Sequence, residues 1–373
     1  MRVVVVGGGI AGVSVAAELA QRLGADGIVT LLEAEAALAH HTTGRSAAMY
    51  LPGYGNPVVR ALTACSAADL AALAEEAGTP ILRPRLTMWV AGPEDVTGLD
   101  ALAAGNDVLR RADVTDVVAL CPVLRPDRLA GGLVDDGGSD IDVGVLHQAY
   151  VRRLRAAGGV ITRDARVDRV DRDRAAGTRW TIGAGDRTWD ADLLVDAAGA
   201  WADDVAALAG QRTVGLRPLR RTLFTCPVAE GVAPTPLVAD VHDRWYFRVD
   251  PGVALVSPAD ETPSPPCDAR PEEVDIARAL DAVGEATTLG LRSVRTAWAG
   301  LRTFAPDRSP VAGPPPDDPT FAWSAGQGGY GLQMAPALAR AVASLALGDG
   351  LPADVAPHVT SADLSPARFA DPV

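Results

Sequence analysis

The chain has 373 residues, 48% of them apolar and 22% charged, which is the composition of a globular protein long enough for two domains. Its formal net charge of −13 would repel a phosphate backbone, so a nucleic-acid partner is not expected. All 34 basic residues are arginine, and the lack of lysine excludes Schiff-base chemistry and P-loop nucleotide hydrolysis.

The chain opens with a valine strand at 3–6. It runs into Gly7, Gly8, Gly9, Ile10, Ala11 and Gly12, then an apolar helical stretch to Leu23, a second strand at 28–32, and Glu33. Gly7, Gly9 and Gly12 have G-x-G-x-x-G spacing. The first permits a tight turn, the second lets backbone approach a pyrophosphate, and the third lets helix and strand pack closely. The helix start offers unpaired N–H groups and the positive end of its dipole to phosphates. Glu33 stands about 20 residues beyond Gly12, where a carboxylate accepts from ribose hydroxyls. A secretory signal does not fit: one arginine precedes the apolar run, glycines interrupt it, and no cleavage pattern follows. The motif alone leaves NAD(P) and FAD open.

The loop His40-His41-Thr42-Thr43-Gly44-Arg45-Ser46 is rich in small hydroxyls. It suits a ribityl chain or pyrophosphate, and equally a plain surface loop. Asn56-Pro57 reads as a cap and first helical residue, with the helix running to Ala77 and stopping at Gly78. Residues 85–90 read as a strand with Thr87 and Trp89 on one face. Residues 92–107 form a polar helical excursion, and the Asp- and Gly-rich stretch 135–142 a boundary loop. Asp142 caps a helix with Val143, Leu146, Tyr150 and Leu154 inward and His147 and Gln148 outward. Strands follow at 160–170 and 178–182. A buried strand, Leu193-Leu194-Val195, then ends at a small-residue corner. Arginines between 152 and 187 alternate with aspartates, the pattern of a solvated face.

From 212 to 259 the pattern is strand-like, with strands at 222–226, 237–241, 245–249 and 253–256, and it reads as an antiparallel sheet. Residues 271–286 read as a helix and 295–304 as a strand. The strand at 321–324 enters a second glycine stretch, Gly326-Gln327-Gly328-Gly329-Tyr330-Gly331, and a helix from Leu332. No apolar run reaches membrane-spanning length; the nearest, 332–347, carries Arg340. Cys65, Cys121, Cys226 and Cys267 have no zinc or redox spacing, so no metal is expected and a cytoplasmic protein with reduced thiols is. Two glycine turns aimed at one extended ligand fit FAD better than NAD(P), with the ADP half at the first and the isoalloxazine at the second.

Four stretches carry a resemblance. They are His41-Thr42-Thr43-Gly44-Arg45-Ser46-Ala47-Ala48, Leu194-Val195-Asp196-Ala197-Ala198-Gly199-Ala200-Trp201, Thr296-Ala297-Trp298-Ala299-Gly300-Leu301-Arg302 and the second glycine turn. Together they resemble the D-amino-acid/glycine oxidase superfamily of FAD enzymes, and within it the D-arginine dehydrogenase branch. The resemblance implies an α/β (α+β overall) fold. A Rossmann-like FAD domain (1–80, 142–211 and 298–373) is interleaved with an antiparallel-sheet substrate domain (81–141 and 212–297). It implies non-covalent FAD, since no cysteine follows Cys267 to form a flavin bond. The cofactor residues it implies are Gly7, Gly9, Ile10, Ala11, Gly12, Glu33, Thr43, Gly44, Arg45, Ser46, Ala47, Ala48, Val167, Ala198, Gly199, Trp201, Arg302, Gly328, Gly329, Tyr330, Gly331, Leu332 and Gln333.

The implied chemistry is hydride transfer from an amine carbon to the flavin, giving an imino acid that hydrolyses to a keto acid. Arg302 and Arg221 are the implied carboxylate clamps, with Tyr246 beside them, Tyr54 on a lid loop, and Gly329 and Gln333 next to the ring. Where D-arginine dehydrogenases carry His, Thr and Glu for the substrate side chain, this chain has Met49, Leu51 and Thr87, with Leu237 nearby. The expected substrates are therefore neutral, apolar D-amino acids rather than D-Arg. A secondary or cyclic amine is the alternative, and a non-enzymatic FAD-binding subunit a more remote one. Missing lysine leans toward a dehydrogenase using a quinone over an oxidase using O2.

Overall fold

A computed structural model describes residues 1–173 and 179–369. The strand Arg2–Val6 (β1) runs parallel to Ile28–Leu32 (β2), with the helix Ile10–Leu23 (α1) crossing between them. Four consecutive valines suit a strand covered on both faces, and Val3 to Val6 are all buried. β1 lies inside a six-stranded sheet ordered Val311–Gly313, Phe321–Ala325, Leu193–Asp196, β1, β2, Val160–Thr162. Only its first pair is antiparallel.

A second, ten-stranded sheet follows the order Gln327–Gly328, Thr296–Phe304, Arg217–Pro227, Val253–Ser257, Tyr246–Asp250, Leu237–Asp240, Thr87–Ala91, Gly131–Asp135, Arg110–Ala112, with Thr262–Pro263 paired to Arg217–Pro227. Its pairs are antiparallel except Leu237–Asp240 beside Thr87–Ala91, the parallel seam that joins two distant parts of the chain. One face packs Met88, Val134, Phe224 and Phe247 on Ala279 and Val283 of the helix Glu273–Ala286. The opposite face carries Trp89, Leu133, Leu237 and Tyr246. Strand alternation thus puts Thr87 and Trp89 on one side and Met88 on the other, as expected.

The helix Pro57–Ala77 (α2) begins and ends as its sequence predicts. Asn56 accepts from the Val59 N–H at 3.0 Å, and Gly78 takes φ +63°. No apolar run of membrane-spanning length is expected, with 332–347 the nearest; by length and composition alone α2 is long and apolar enough to cross one. Here it packs on the helix Gly331–Ala346, with the Ser66 hydroxyl accepting from the Ala337 N–H.

Three expectations change. The stretch 135–142 contains a strand, Ser139–Ile141, because it pairs with both Met49–Tyr50 and Leu82–Pro84. Residues 160–170 divide between two sheets, Val160–Thr162 in the first and Arg169–Asp173 in a three-stranded meander. That meander continues at Arg179–Ala184, and the expected strand start at Thr178 lies outside the described residues. His147 is buried, not outward, because its ring lies 3.0 Å from the Gly8 carbonyl, under the first glycine turn. Burial lowers its pKa.

Asp196 ends its strand fully buried, with one carboxylate oxygen accepting from the Ala198 N–H at 3.0 Å and the other without a partner. Burial, with Asp203 and Asp204 nearby, raises its pKa well above the usual carboxylate range. Below the ordinary carboxyl pKa of about 4 both states are protonated. Between that value and the raised one the folded state holds the extra proton, so stability falls as pH rises. Asp196→Asn should therefore raise Tm at neutral and alkaline pH, with the gain vanishing below about pH 4. Thermal unfolding across pH checks this, and a gain that persists unchanged at low pH would refute it.

Candidate active site

The starts of α1 and of the helix Gly331–Ala346 face one cavity of about 380 Å³. Neither has an N-cap side chain or an acid in its first turn, so apart from that of Ile10, which goes to Thr43, their leading N–H groups are available to a ligand. Gly7 needs its φ of +111°, and Gly12 packs so closely on the turn that a Cβ would lie 1.8 Å from the Gly7 carbonyl oxygen. Gly9 is different. A Cβ there would meet only the Thr43 hydroxyl, at 3.1 Å, so it would fill ligand space rather than strike the fold. Glu33 accepts from the Gly8 N–H at 2.7 Å and the Glu35 N–H at 2.8 Å. Two fixed N–H groups aim the carboxylate, and its remaining lone pairs are free for ribose hydroxyls.

The loop 40–48 forms one wall. Ile10 donates to the Thr43 hydroxyl at 3.0 Å, Thr42 to the Leu301 carbonyl at 2.7 Å, and Arg45 to the Ala299 carbonyl at 3.1 Å. The loop is thereby sewn to the strand Thr296–Phe304. Thr303 Oγ1 and Ser324 Oγ line the cavity, buried and without protein partners. An uncapped pair of helix starts, a Gly9 cradle and orphaned hydroxyls suit a long, polar, phosphate-bearing ligand with a flat polar end. FAD fits this.

Of the residues expected at the cofactor, Gly7, Gly9, Ile10, Ala11, Glu33, Thr43, Arg45, Ser46, Ala47, Val167, Ala198, Gly199, Trp201, Arg302, Gly328, Gly329, Gly331 and Leu332 line the cavity. Gly12, Gly44, Ala48, Tyr330 and Gln333 do not. Gly12 and Gly44 act through backbone packing, since a Cβ on Gly44 would lie 2.4 Å from the Ala39 carbonyl oxygen. Gln333 is the clearest departure. It is buried, accepts from the Leu51 N–H at 3.2 Å and donates to the Thr63 hydroxyl at 2.9 Å, so it braces a loop instead of facing the cavity.

At the far end the second sheet contributes charge. Arg221 pairs across strands with Gly300, and Leu219 with Arg302, which brings the two arginines to the same face. The Arg221 side chain is 3% exposed; it donates to Glu261 at 3.2 Å, while its Nε and Nη1 have no partner. Arg302 makes no ion pair among the described residues and packs on Gly329, where a Cβ would lie 2.8 Å from its guanidinium carbon. Burial opposes its charge, but Tyr54, Tyr246, Tyr330 and Asp243 outweigh that and hold it protonated. The Tyr246 hydroxyl is buried without a partner.

Tyr54 stacks on Trp89 with ring centroids 6.3 Å apart and meets Tyr330 edge-on at 5.2 Å. Burial raises the pKa of Tyr54 and of Tyr330, keeping both neutral. Leu51, Leu237 and Tyr246 form one apolar cluster with Met49 and Tyr54 against it, and Thr87 faces the same way from its pairing with Leu237. Thr87 Oγ1 is buried and unpartnered. Behind Met49, Arg248 lies 3.2 Å from the thioether sulfur.

Sequence reasoning missed three features here. Glu261 lies between Arg221 and Arg308, at 3.2 Å and 2.7 Å. Asp243 reaches the Tyr54 hydroxyl at 3.5 Å from a hairpin turn and has its pKa raised by burial. Glu35, His40 and His41 bring possible ligand atoms within 4.8 Å of one another at the cavity wall. Arg166 and Arg45 lie 3.6 Å and 3.4 Å from that trio, where they compete with any cation. Glu261 and Asp243 carry no motif and reach the site through the sheets, whereas Glu35, His40 and His41 are close together in the loop after β2. Burial pushes the Cys121 thiol up to about 12 and the Cys226 thiol up to about 11, which keeps these two inert.

Fold and cavity together define an FAD-dependent oxidoreductase of the amine or amino-acid type. The chain belongs to the DAO family of FAD dependent oxidoreductases, whose family model matches residues 2–345. It is similar to a D-amino acid dehydrogenase of Cereibacter sphaeroides, 30% identical over 445 aligned positions, spanning 100% of this chain and 96% of the relative. It also matches FAD-dependent oxidoreductase domain-containing protein 1 of Bos taurus, 33% identical over 200 residues. That match spans 48% of this chain and only 38% of the bovine protein. The solved glycine oxidase from Geobacillus kaustophilus superposes with a TM-score of 0.82 at 20% identity, covering 96% of this chain and 98% of the other, a likeness of fold.

Proposed function

We propose that this chain oxidises neutral D-amino acids with apolar side chains at the Cα–N bond, and passes the electrons to a quinone-type acceptor rather than to O2. The observation that carries the reading is the pair of buried arginines, Arg221 and Arg302, beside the second glycine turn, with unpartnered N–H groups on Arg221. Arg221 is paired with Glu261 but Arg302 has no ion pair among the described residues; a buried guanidinium without one is unfavourable by several kcal/mol, and a substrate carboxylate relieves it. Arg221, Arg302 and Arg308 against Asp243 and Glu261 leave three minus two, one positive charge. One carboxylate cancels it, which favours a substrate whose side chain is neutral.

When bound, FAD supplies the two-electron acceptor for the Cα hydride. The protein orients the Cα–H by holding the carboxylate on Arg302 and Arg221, with the Tyr246 hydroxyl as an additional donor. The side chain then meets Met49, Leu51 and Leu237. The carboxylate across the sheet from Thr87, Asp135, is committed to the Gly53 and Gly137 N–H groups, so it is not available to a cationic side chain, and Arg248 lies behind Met49.

Anaerobic bleaching of the flavin across a panel of D-amino acids and cyclic amines, followed by admission of oxygen, tests the reading. D-Leu, D-Met or D-Phe should exceed D-Arg in kcat/KM by about 100-fold or more, the scale of about 3 kcal/mol for an unpaired buried charge. Reoxidation by air should be slow beside reoxidation by a quinone. D-Arg at the head of the panel, or a cyclic amine far above every D-amino acid, would overturn the substrate reading. Rapid reoxidation by O2 would overturn the acceptor.

A further inference from the structure

We propose that Asp135 and Asn106 are positioning residues that hold Tyr54 as a fixed wall of the substrate pocket, so that the loop 51–56 is not a mobile lid. The inference deepens the proposed function and rests on it for its kinetic consequence. Both polar groups of the Gly53 peptide are clamped by buried side chains. The Gly53 N–H donates to Asp135 Oδ2 at 2.8 Å, and its carbonyl accepts from Asn106 Nδ2 at 2.9 Å. Asp135 is fully buried and Asn106 nearly so. A second grip lies two residues earlier, where Gln333 accepts from the Leu51 N–H at 3.2 Å. A third follows at Gly55, whose carbonyl accepts from Arg60 at 3.0 Å. Within the loop the Tyr54 N–H donates to the Leu51 carbonyl at 3.1 Å.

No slack remains at Gly53. A Cβ there would lie 2.6 Å from Leu109 Cδ2 and 3.0 Å from Asp135 Oδ2. Opening this loop would leave Asp135 Oδ2 and Asn106 Nδ2 without partners at once, Asp135 keeping only the Gly137 N–H on its other oxygen. A hinge placed here would have to break the Asp135, Asn106, Gln333 and Arg60 contacts together. The Tyr54 ring, held between Trp89 and Tyr330, is the element whose position the clamp sets. Asp135 ends the strand Gly131–Asp135 and Asn106 follows the helix Val96–Ala103, so the anchor is the second sheet itself.

Two measurements on the FAD-loaded protein test this. Hydrogen exchange needs no substrate. The amides of 53 and 54 should be protected in the wild type, and Asn106→Ala and Asp135→Asn should each lose that protection while the strand 87–91 keeps its own. Complete exchange of 53–54 at the earliest time in the wild type overturns the clamp, whatever the substrate proves to be. The second measurement is a double-mutant cycle read by anaerobic flavin reduction with the best substrate. Asn106→Ala should raise the apparent substrate Kd about tenfold and change the limiting rate by less than about threefold, and that penalty should fall below about twofold in a Tyr54→Ala background. An equal penalty in both backgrounds means a general structural role and overturns the proposal. If Asp135→Asn fails to fold, Asn106→Ala carries both measurements. A wild-type flavin that no amine bleaches sinks the proposed function and leaves the clamp to be decided by exchange.

Discussion

Replacing Arg302 with methionine is expected to lower kcat/KM for the amino-acid substrate by about three orders of magnitude, from losing a charge-assisted fork of about 3–5 kcal/mol. FAD should stay bound and the fold should weaken little. Arg302 makes no ion pair among the described residues, so removing it breaks no salt bridge, although Asp243 and the tyrosines around it favour its charge. Methionine keeps the apolar stem, and Tm should fall by only a few degrees, the scale of about 1 kcal/mol or less. Arg302→Lys keeps the charge on a point-like ammonium that cannot bridge two carboxylate oxygens, so a smaller loss of about 10–100-fold is expected. Stopped-flow reduction under anaerobic conditions separates the parts. The loss should fall mainly on the substrate Kd, with a further loss in the limiting rate as the Cα–H loses its alignment. A methionine variant within about fivefold of the wild type would remove Arg302 from the site.

The two ends of the site were not equally legible in the sequence. The phosphate end is local: Gly7, Gly9, Gly12 and Glu33 lie on one β-α-β unit, so spacing alone reports their geometry. The helix α2 was legible for the same reason, with Asn56, Pro57 and Gly78 each acting within a turn. The substrate end is assembled across strands whose order no local pattern reveals. Arg221 and Arg302 meet because Arg217–Pro227 and Thr296–Phe304 are neighbours in the sheet, and their resemblance to family motifs stood in for that knowledge. Glu261 and Asp243 had no such motif and were missed. Gln333 shows the opposite error. Its position beside the second glycine turn suggested a cofactor contact, but the first turn of a helix also has a buried side. That side faces Leu51 and Thr63. His147 erred similarly, because helical periodicity marks apolar stripes and cannot foresee a buried carbonyl such as that of Gly8 waiting for a polar partner.

Gly12 and Gly9 should fail in different ways, and the contrast separates packing from ligand space. In Gly12→Ala the new methyl would sit 1.8 Å from the Gly7 carbonyl oxygen and 2.9 Å from its carbon, both backbone atoms that no rotamer change can move. α1 must shift away from β1, carrying its first N–H groups off the phosphate position. Overpacking of this kind is unfavourable by about 1–3 kcal/mol or more, so the variant should lose Tm without cofactor and emerge from purification largely free of FAD. Gly9→Ala meets only the Thr43 hydroxyl, at 3.1 Å, which can turn aside. Its cofactor-free Tm should match the wild type, while its methyl occupies the space where a pyrophosphate approaches the backbone, so FAD affinity should drop by about 100-fold or more, at roughly 1.4 kcal/mol per factor of ten. Flavin absorbance per mole of protein and paired Tm values with and without added FAD give both readings. In Gly9→Ala the Tm gain on adding FAD should shrink with the cofactor-free value intact; in Gly12→Ala both should fall. Stoichiometric FAD and an unchanged Tm in Gly12→Ala would show that the turn can relax, and with it that the close approach of helix and strand is not what places the cofactor.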